Sequence, residues 1–159
     1  MALTIKSGPW DEETTAAFLV KTIIPIRLAS LRTDAGGRTW PVLQSLWFSY
    51  RQGSLWCATQ AGSPLTRRLA RDTAVAFEVS CDDPPYHGVR GTGEAEIIPE
   101  AEDVLLELIE RYGQRDTPLA AWLLGRVATE VAIRISSLQV STWDYASRMR
   151  PAPHRDRRS

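Results

Sequence analysis

Residues 54–72, SLWCATQAGSPLTRRLARD, join a strand-like run to a short helix. Residues 54–59 are apolar and β-forming, Gly62 interrupts them, and Pro64 suits the first turn of a helix. Four side chains add hydroxyl and guanidinium donors at that turn: Ser63, Thr66, Arg67 and Arg68. Because a helix N-terminus presents free N–H groups and a partial positive charge, the segment predicts a phosphate-binding turn beside a buried strand. The alternative is an ordinary helix cap with solvated arginines.

Alternating β-forming residues continue on both sides of this segment. On the N-terminal side, residues 24–59 carry turn signals at residues 34–37 and 51–53, which predict three strands joined by two hairpins, a meander. On the C-terminal side, residues 73–81 and 89–99 predict one strand each.

Two further features concern the strands predicted in the C-terminal half of the chain. Gly91 and Gly93 mark a bend or a close backbone approach. Residues 130–145 predict two closing strands joined near Ser136 and Ser137. The pattern therefore amounts to six or seven short strands.

Helical patterns are few and short. They span residues 9–21, 63–72, 99–113 and 118–127. Short strands with hairpin connections and few helices are typical of a mainly β (α+β) domain, and closing the sheet removes exposed strand edges. We therefore predict an antiparallel barrel of six to seven strands with three to four peripheral helices.

Length and composition fit one soluble domain. The chain has 159 residues, 43% hydrophobic and 24% charged, with a formal net charge of zero. We expect a single domain over residues 1–147 and a basic tail over residues 148–159. The arginines of the tail leave a mildly acidic body, which argues against nucleic acid as a partner of the body and leaves only the tail as a contact for an anionic surface.

Cysteine usage and hydropathy indicate the compartment. Cys57 and Cys81 lie on separate predicted strands without metal-ligand spacing, as is typical of reduced thiols. Asp82 and Asp83 precede two prolines and predict a turn, so no metal site is expected. With neither a signal-peptide run nor an apolar segment of about 18 residues, we expect a cytoplasmic protein that does not enter the membrane.

The succession of segments between about residues 22 and 147 resembles the pyridoxamine 5'-phosphate oxidase-like family of flavin-binding split β-barrels. The resemblance is carried by RLASLRTDAGGR, PVLQSLWFSYRQGSLWCAT, GSPLTRRLARDTAVAFEV, DDPPYHGVRGTGEAEII and VSTWDY, in that order. It implies a split barrel, a homodimer that shares its cofactor sites, and a small organic substrate.

The resemblance also implies site residues. It assigns the edge of the flavin ring to Gln44, Ser45 and Leu46, and the phosphate to Thr59, Ser63 and Arg67. Thr66 and Arg68 join the phosphate group on physical grounds, because they supply further donors at the same turn. Trp143 is expected to approach the cofactor of the partner subunit.

One position departs from the family pattern. Leu65 stands where the family usually has a lysine, two residues after the serine, and Pro64 lies between them. The loss of a cation there weakens the expected phosphate site and leaves room for a different flavin-like cofactor, or for none.

The choice of cofactor stays open between two branches of the family. One branch binds FMN, and the other binds the reduced deazaflavin coenzyme F-420 and passes a hydride to unsaturated or oxidised substrates. Since the cofactor performs the hydride chemistry in both, no dedicated catalytic side chain is predicted. The leading hypothesis is an FMN-dependent oxidoreductase; the alternatives are a deazaflavin-dependent reductase and a non-catalytic flavin- or haem-binding protein.

Overall fold

The computed structural model describes residues 3–149, which form one eight-stranded sheet and four helices. The strands are β1 (Thr4–Ser7), β2 (Ile26–Thr33), β3 (Thr39–Leu46), β4 (Ser49–Arg51), β5 (Ser54–Gln60), β6 (Ala74–Ser80), β7 (His87–Ile98) and β8 (Glu130–Asp144). The helices are α1 (Glu12–Lys21), α2 (Pro64–Leu69), α3 (Glu102–Arg111) and α4 (Pro118–Leu124). Most of the expected basic tail, residues 150–159, lies outside the described residues.

Local sequence signals explain where the helices begin. Asp11, Ser63 and Thr117 each accept a hydrogen bond from the backbone N–H three residues later, at the starts of α1, α2 and α4. The apolar face of α3 is buried as its spacing predicts. No helix within residues 3–149 is long and apolar enough to cross a lipid bilayer.

The strand order is β3-β2-β6-β7-β8-β5-β4, with antiparallel pairing throughout this path, and β1 pairs in parallel with β8. The mainly β, antiparallel prediction is confirmed. The sheet has eight strands rather than six or seven: β1 and the three-residue β4 were not recognised as separate strands, and the single β8 replaces two predicted strands. The predicted meander is wrong, since the hairpins β2–β3 and β4–β5 lie at opposite ends of the strand order.

The sheet curls although its hydrogen bonding does not close. Only Trp47 and Phe48 separate the last residue of β3 from the first residue of β4. Because successive Cα atoms lie about 3.8 Å apart, Leu46 and Ser49 are within about 11 Å of each other. The two ends of the strand order therefore meet at this corner, and the sheet forms a split barrel.

A single long strand, β8, replaces the two closing strands that we predicted. Its continuity is preserved by a bulge: the pairing with β7 shifts register between Thr92 and Glu94, and Ser137 has a φ of +55°. The predicted close approach at the glycines is confirmed, since a Cβ atom on Gly91 would lie 2.4 Å from the carbonyl oxygen of Gln139.

Two apolar layers hold the fold together. The barrel interior contains side chains from β2, β5, β6, β7 and β8, including Leu28, Cys57, Phe77, Val89 and Ile133. On the outside of β5 and β8, Ala58 and Ala132 form a flat surface against which α3 and α4 pack. The helices therefore cover only one part of the outer face of the barrel.

Candidate functional site

The gap between the ends of the strand order, which we call the split, is bordered by two incompletely paired strands. Among residues 3–149, β3 pairs only with β2, and residues 57–60 of β5 pair only with β8. Helix α2 follows β5 directly and lies beside β2. Residues 54–72 therefore occupy one side of the split.

Arg68 bridges α2 to the opposite side of the split. Its Nε donates a 2.7 Å hydrogen bond to the hydroxyl of Ser30 on β2, and its Nη2 donates a 2.7 Å hydrogen bond to Oε1 of Gln44 on β3. Ser30 is buried, whereas Gln44 is half-buried. Two residues predicted for different parts of the site, Gln44 and Arg68, are thus brought into contact.

The hydroxyl groups of α2 mainly hold their own turn. Ser63 caps the helix by accepting from the N–H of Thr66 at 3.2 Å, and the Thr66 hydroxyl lies 2.7 Å from the carbonyl oxygen of Ala61. Arg67 donates to the carbonyl oxygen of Gly62 at 2.7 Å. Ser63 therefore acts as the N-cap that the alternative interpretation described, while most of the Arg67 side chain remains exposed.

Four arginines converge on a cleft beside this turn. The cleft has a volume of about 350 Å³ and is lined by Leu31, Arg32, Thr33, Pro64, Arg67, Arg68, Arg71 and Asp72. We call it the arginine cleft. Among the described residues, none of its arginines forms an ion pair with a carboxylate within 4.0 Å. The cleft therefore has a concentrated positive charge that an anion would neutralise.

The electrostatics of Arg68 reflect this crowding. Burial lowers the pKa of its guanidinium below the ordinary value, and the positive charges of Arg32 and Arg67 lower it further. Repulsion among these neighbouring guanidinium groups costs free energy. A bound anion would relieve that repulsion, so the residues present fit a phosphate or carboxylate group.

Leu65 does not face the arginine cleft. Its side chain is 1% exposed and packs in the barrel interior with Leu69. A cation at this position would be directed into the apolar core rather than toward an anion. The departure from the family pattern is therefore a packing requirement of this chain, and the cleft takes its positive charge from other positions.

The other predicted ring-edge residues border a second cavity. Ser45 and Leu46 of β3 line a space of about 300 Å³ together with Ala58 of β5 and residues of α3 and α4. We call it the α3–α4 cavity. Thr59, the residue after Ala58, is half-buried on β5. Of the residues predicted for the ring edge and the phosphate, Ser45, Leu46 and Thr59 therefore lie on the two strands that border the split.

The α3–α4 cavity holds one buried carboxylate. Glu130, the first residue of β8, is 5% exposed in its side chain and pairs with Nε of Arg126 at 3.3 Å. Burial raises the pKa of the Glu130 carboxyl, and the charge of Arg126 opposes that effect.

Trp143 lies away from α2 within the same chain. It pairs with Gly88 near the far end of β7, and the guanidinium of Arg90 lies 4.9 Å from the centre of its indole ring. Within one chain, Trp143 is therefore separate from the predicted site residues around α2.

A broad groove crosses the face of the sheet that the helices leave uncovered. It has a volume of about 520 Å³ and includes Ala29, Leu43, Ala76, Arg90 and Gln139. We call it the outer groove. Leu43 is 72% exposed there, which is unusual for a large apolar side chain on an ordered strand.

Sequence reasoning missed three residues of these sites. Arg32 ends a strand and Arg71 follows a short helix, so each looks like an ordinary solvated arginine until the fold brings them together. Glu130 begins a predicted strand, and its only signal was a carboxylate adjoining an apolar run. No spacing rule links these positions, because their proximity comes from long-range pairing.

Solved structures with this fold match most of the chain. A conserved hypothetical protein from Mycobacterium tuberculosis is 25% identical, with a TM-score of 0.72 and a match that covers 91% of each chain. An F420 reductase is 26% identical, with a TM-score of 0.56 over 74% of this chain and 89% of the reductase. A candidate pyridoxamine 5'-phosphate oxidase from Listeria innocua shares the fold at 16% identity, with a TM-score of 0.61 over 82% of this chain and 95% of that protein.

The sequence comparisons add nothing further, since no family model and no curated protein matches the chain. The structural likeness agrees with the split in the sheet and with the segments that carried the sequence resemblance. The chain therefore has the split β-barrel fold of the pyridoxamine 5'-phosphate oxidase-like proteins.

Proposed function

We propose that the protein binds a flavin-type cofactor in the split and transfers a hydride or electrons to a small organic molecule. The observation that carries this proposal is the arginine cleft, whose four guanidinium groups have no carboxylate partner among residues 3–149 and adjoin an incompletely paired strand edge. Planar guanidinium groups bind phosphate through paired hydrogen bonds, so Arg67 and Arg71 would hold the anionic end of the cofactor.

The length of β3 suits an extended ligand. Leu31 in the arginine cleft pairs with Pro41, and β3 continues from there to Leu46 in the α3–α4 cavity. That distance is about 16 Å at the usual strand rise. A cofactor with its anionic group in the cleft would place its ring beside Ser45 and Leu46, where the β3 backbone offers hydrogen-bonding groups.

The cofactor supplies the redox chemistry when it is bound. The described residues would contribute binding and orientation: Arg67 and Arg71 neutralise the anionic group, and Arg68 keeps Gln44 fixed on β3. The apolar walls near Leu46 would exclude water from the ring edge.

The charge of the cleft favours a deazaflavin over FMN. FMN carries a single phosphate, whereas the deazaflavin coenzyme carries a phosphodiester and the carboxylates of a glutamyl tail. Four arginines without carboxylate partners exceed what one phosphate group requires, and the 26% identity to an F420 reductase supports the same choice. FMN remains the competing ligand in the experiment below.

A second copy of the chain is the proposed occupant of the outer groove. The exposed Leu43 and the small side chains of Ala29 and Ala76 form a surface on which another sheet would pack closely. Trp143 lies on the same side of β8 as Gln139, so this arrangement would carry it toward the split of the partner. A homodimer with shared sites is therefore part of the proposal.

The test is a titration of the purified protein with FMN and with the deazaflavin, followed by cofactor fluorescence. We expect tighter binding of the deazaflavin, weakened about tenfold or more in an Arg67→Ala, Arg71→Ala double variant. Arg38→Ala is the matched control, since Arg38 stacks on Trp40 at the exposed hairpin and lines no part of the cleft. Failure of both cofactors to bind would refute the proposal, and bound cofactor that no reductant reduces would indicate a carrier.

A further inference from the structure

The geometry points to the α3–α4 cavity as the binding site for a small organic molecule with an apolar body and a hydrogen-bond-donating head group, an amine or an alcohol. Its role as the substrate site rests on the proposed function, because the cavity adjoins the expected position of the ring. Its ability to bind such a molecule does not depend on any cofactor. Shape, chemistry and position each support the assignment.

The cavity is built from apolar side chains around one small residue. Ala58 of β5 lines it together with four leucines of α3 and α4: Leu105, Leu108, Leu119 and Leu123. The volume of about 300 Å³ lies at the lower end of the range typical of small-molecule sites. A larger side chain at position 58 would fill the space, so the cavity depends on the alanine.

Glu130 provides the polar contact in the cavity. It is nearly as buried as the surrounding core, yet Arg126 engages only its Oε1 atom. No hydrogen bond within residues 3–149 reaches its other oxygen, Oε2, which keeps contact with solvent in the cavity. A donor group on a ligand would satisfy this oxygen in place of water.

The polarity of the cavity defines what it accepts and what it rejects. An ionised carboxylate accepts hydrogen bonds and donates none, so a ligand must present N–H or O–H to Glu130. A ligand carboxylate would be repelled, and a pure hydrocarbon would leave Oε2 without a partner. The α3–α4 cavity and the arginine cleft therefore select groups of opposite chemistry.

The site adjoins the split rather than lying apart from it. Ser45 and Leu46, on the strand expected to hold the cofactor ring, also line the cavity. A molecule with its head group at Glu130 would place its apolar body toward β3. That orientation matches a substrate whose reacting carbon meets the ring edge.

The experiment uses four probes with the same phenyl body: phenethylamine, phenethyl alcohol, propylbenzene and phenylpropanoate. Their binding to the full-length protein is followed by NMR shifts of the methyl groups of Leu119 and Leu123, with and without the cofactor. We expect the amine and the alcohol to bind about tenfold more tightly than propylbenzene, and phenylpropanoate not to bind.

Two variants localise the binding. Glu130→Gln is expected to remove the discrimination against phenylpropanoate and to weaken the amine about tenfold, whereas Ala58→Leu should abolish binding of all the probes. Glu96→Gln is the matched control, because Glu96 is an exposed carboxylate paired with Arg134. If Glu130→Gln does not fold, as judged by circular dichroism, the probe series and Ala58→Leu decide the question.

The outcomes separate this inference from the proposed function. Equal affinity for amine and hydrocarbon, or unchanged binding in Ala58→Leu, overturns the inference even if the protein binds a deazaflavin. Probe binding at Glu130 in a protein that binds neither cofactor supports the site while refuting the redox proposal.

Discussion

The guanidinium of Arg68 donates a 2.7 Å hydrogen bond to the side-chain oxygen of Gln44, and so joins α2 to a strand 24 positions earlier in the chain. The same guanidinium donates through Nε to the buried hydroxyl of Ser30. Because the two acceptors lie on paired strands, one side chain fixes α2 against the β2–β3 hairpin. The position of this hairpin relative to α2 therefore depends on the hydrogen bonds of Arg68, and substituting Arg68 measures their contribution to stability.

Replacing Arg68 by alanine should lower the free energy of unfolding by about 1–3 kcal/mol, because Ser30 would keep a buried hydroxyl without its partner. Arg68→Lys retains the charge but not the forked geometry, and should give an intermediate loss. Urea unfolding measures both. Arg38→Ala, at the exposed hairpin, should change stability by less than about 0.5 kcal/mol; an equal loss there would contradict a specific role for Arg68.

Restoring the family lysine at position 65 should damage the protein rather than improve cofactor binding. Leu65 is buried in the barrel interior, and Leu65→Lys would place an unpaired ammonium group among apolar side chains. We expect destabilisation of about 3 kcal/mol or more, seen as a lower midpoint in thermal unfolding. Leu65→Met conserves volume and should cost less than about 1.5 kcal/mol. A gain in affinity without loss of stability in Leu65→Lys would show that position 65 faces the cleft.

A methyl group at Gly91 should disrupt the pairing of β7 with β8. The new Cβ would lie 2.4 Å from the carbonyl oxygen of Gln139, a backbone atom that moves only with its strand. Gly91→Ala should therefore lower stability by about 2–3 kcal/mol. Gly62→Ala is the comparison, because nothing lies within 4 Å of its added Cβ and its φ is not positive. That variant should leave the urea midpoint unchanged or slightly raised.

Stability should decline at alkaline pH partly because of Cys57. Burial raises the pKa of its thiol from an ordinary value of 9.0 to about 12. Between these values the folded chain retains a proton that the unfolded chain has lost, so the free energy of unfolding falls as pH rises. Below pH 9 the contribution is fully present. Half-buried Tyr50 and Tyr112 have pKa values shifted in the same direction, mainly by desolvation.

The contribution of Cys57 can be separated by substitution. Cys57→Ala should be less stable at every pH because it leaves a cavity, yet its stability should fall less steeply above pH 9 than that of the wild type. Urea midpoints at neutral and alkaline pH measure the two slopes. Parallel declines in the two proteins would assign the pH effect to other groups.

Local signals explain the part of the fold that the sequence predicted. The turns at residues 34–37 and 51–53 and the helix starts at Asp11, Ser63 and Thr117 depend on neighbours within a few positions. The order of the strands does not. β5 pairs with β8, whose residues lie about 75 positions later, and no local pattern distinguishes that pairing from a meander.

The same contrast between local sequence signals and long-range pairing applies to the residues of the site. Ser63 and the arginines of α2 were found because they are contiguous with a strand end, whereas Arg32 and Glu130 acquire their roles only from folding. Ser137 illustrates the opposite error: a serine pair resembled a turn, but the structure uses it as a bulge within one strand. A bulge and a turn require similar residues, and only long-range pairing decides between them.

The central place of β8 has a consequence for synthesis on the ribosome. β8 is the last strand within residues 3–149, and it pairs with β1, β5 and β7. Until residues 130–144 emerge from the ribosome, β1, β5 and β7 lack their shared partner. The unpaired edges of β5 and β7 can then pair with strands of another chain. A chain truncated before β8 would therefore expose these strand edges and aggregate rather than fold as a smaller domain.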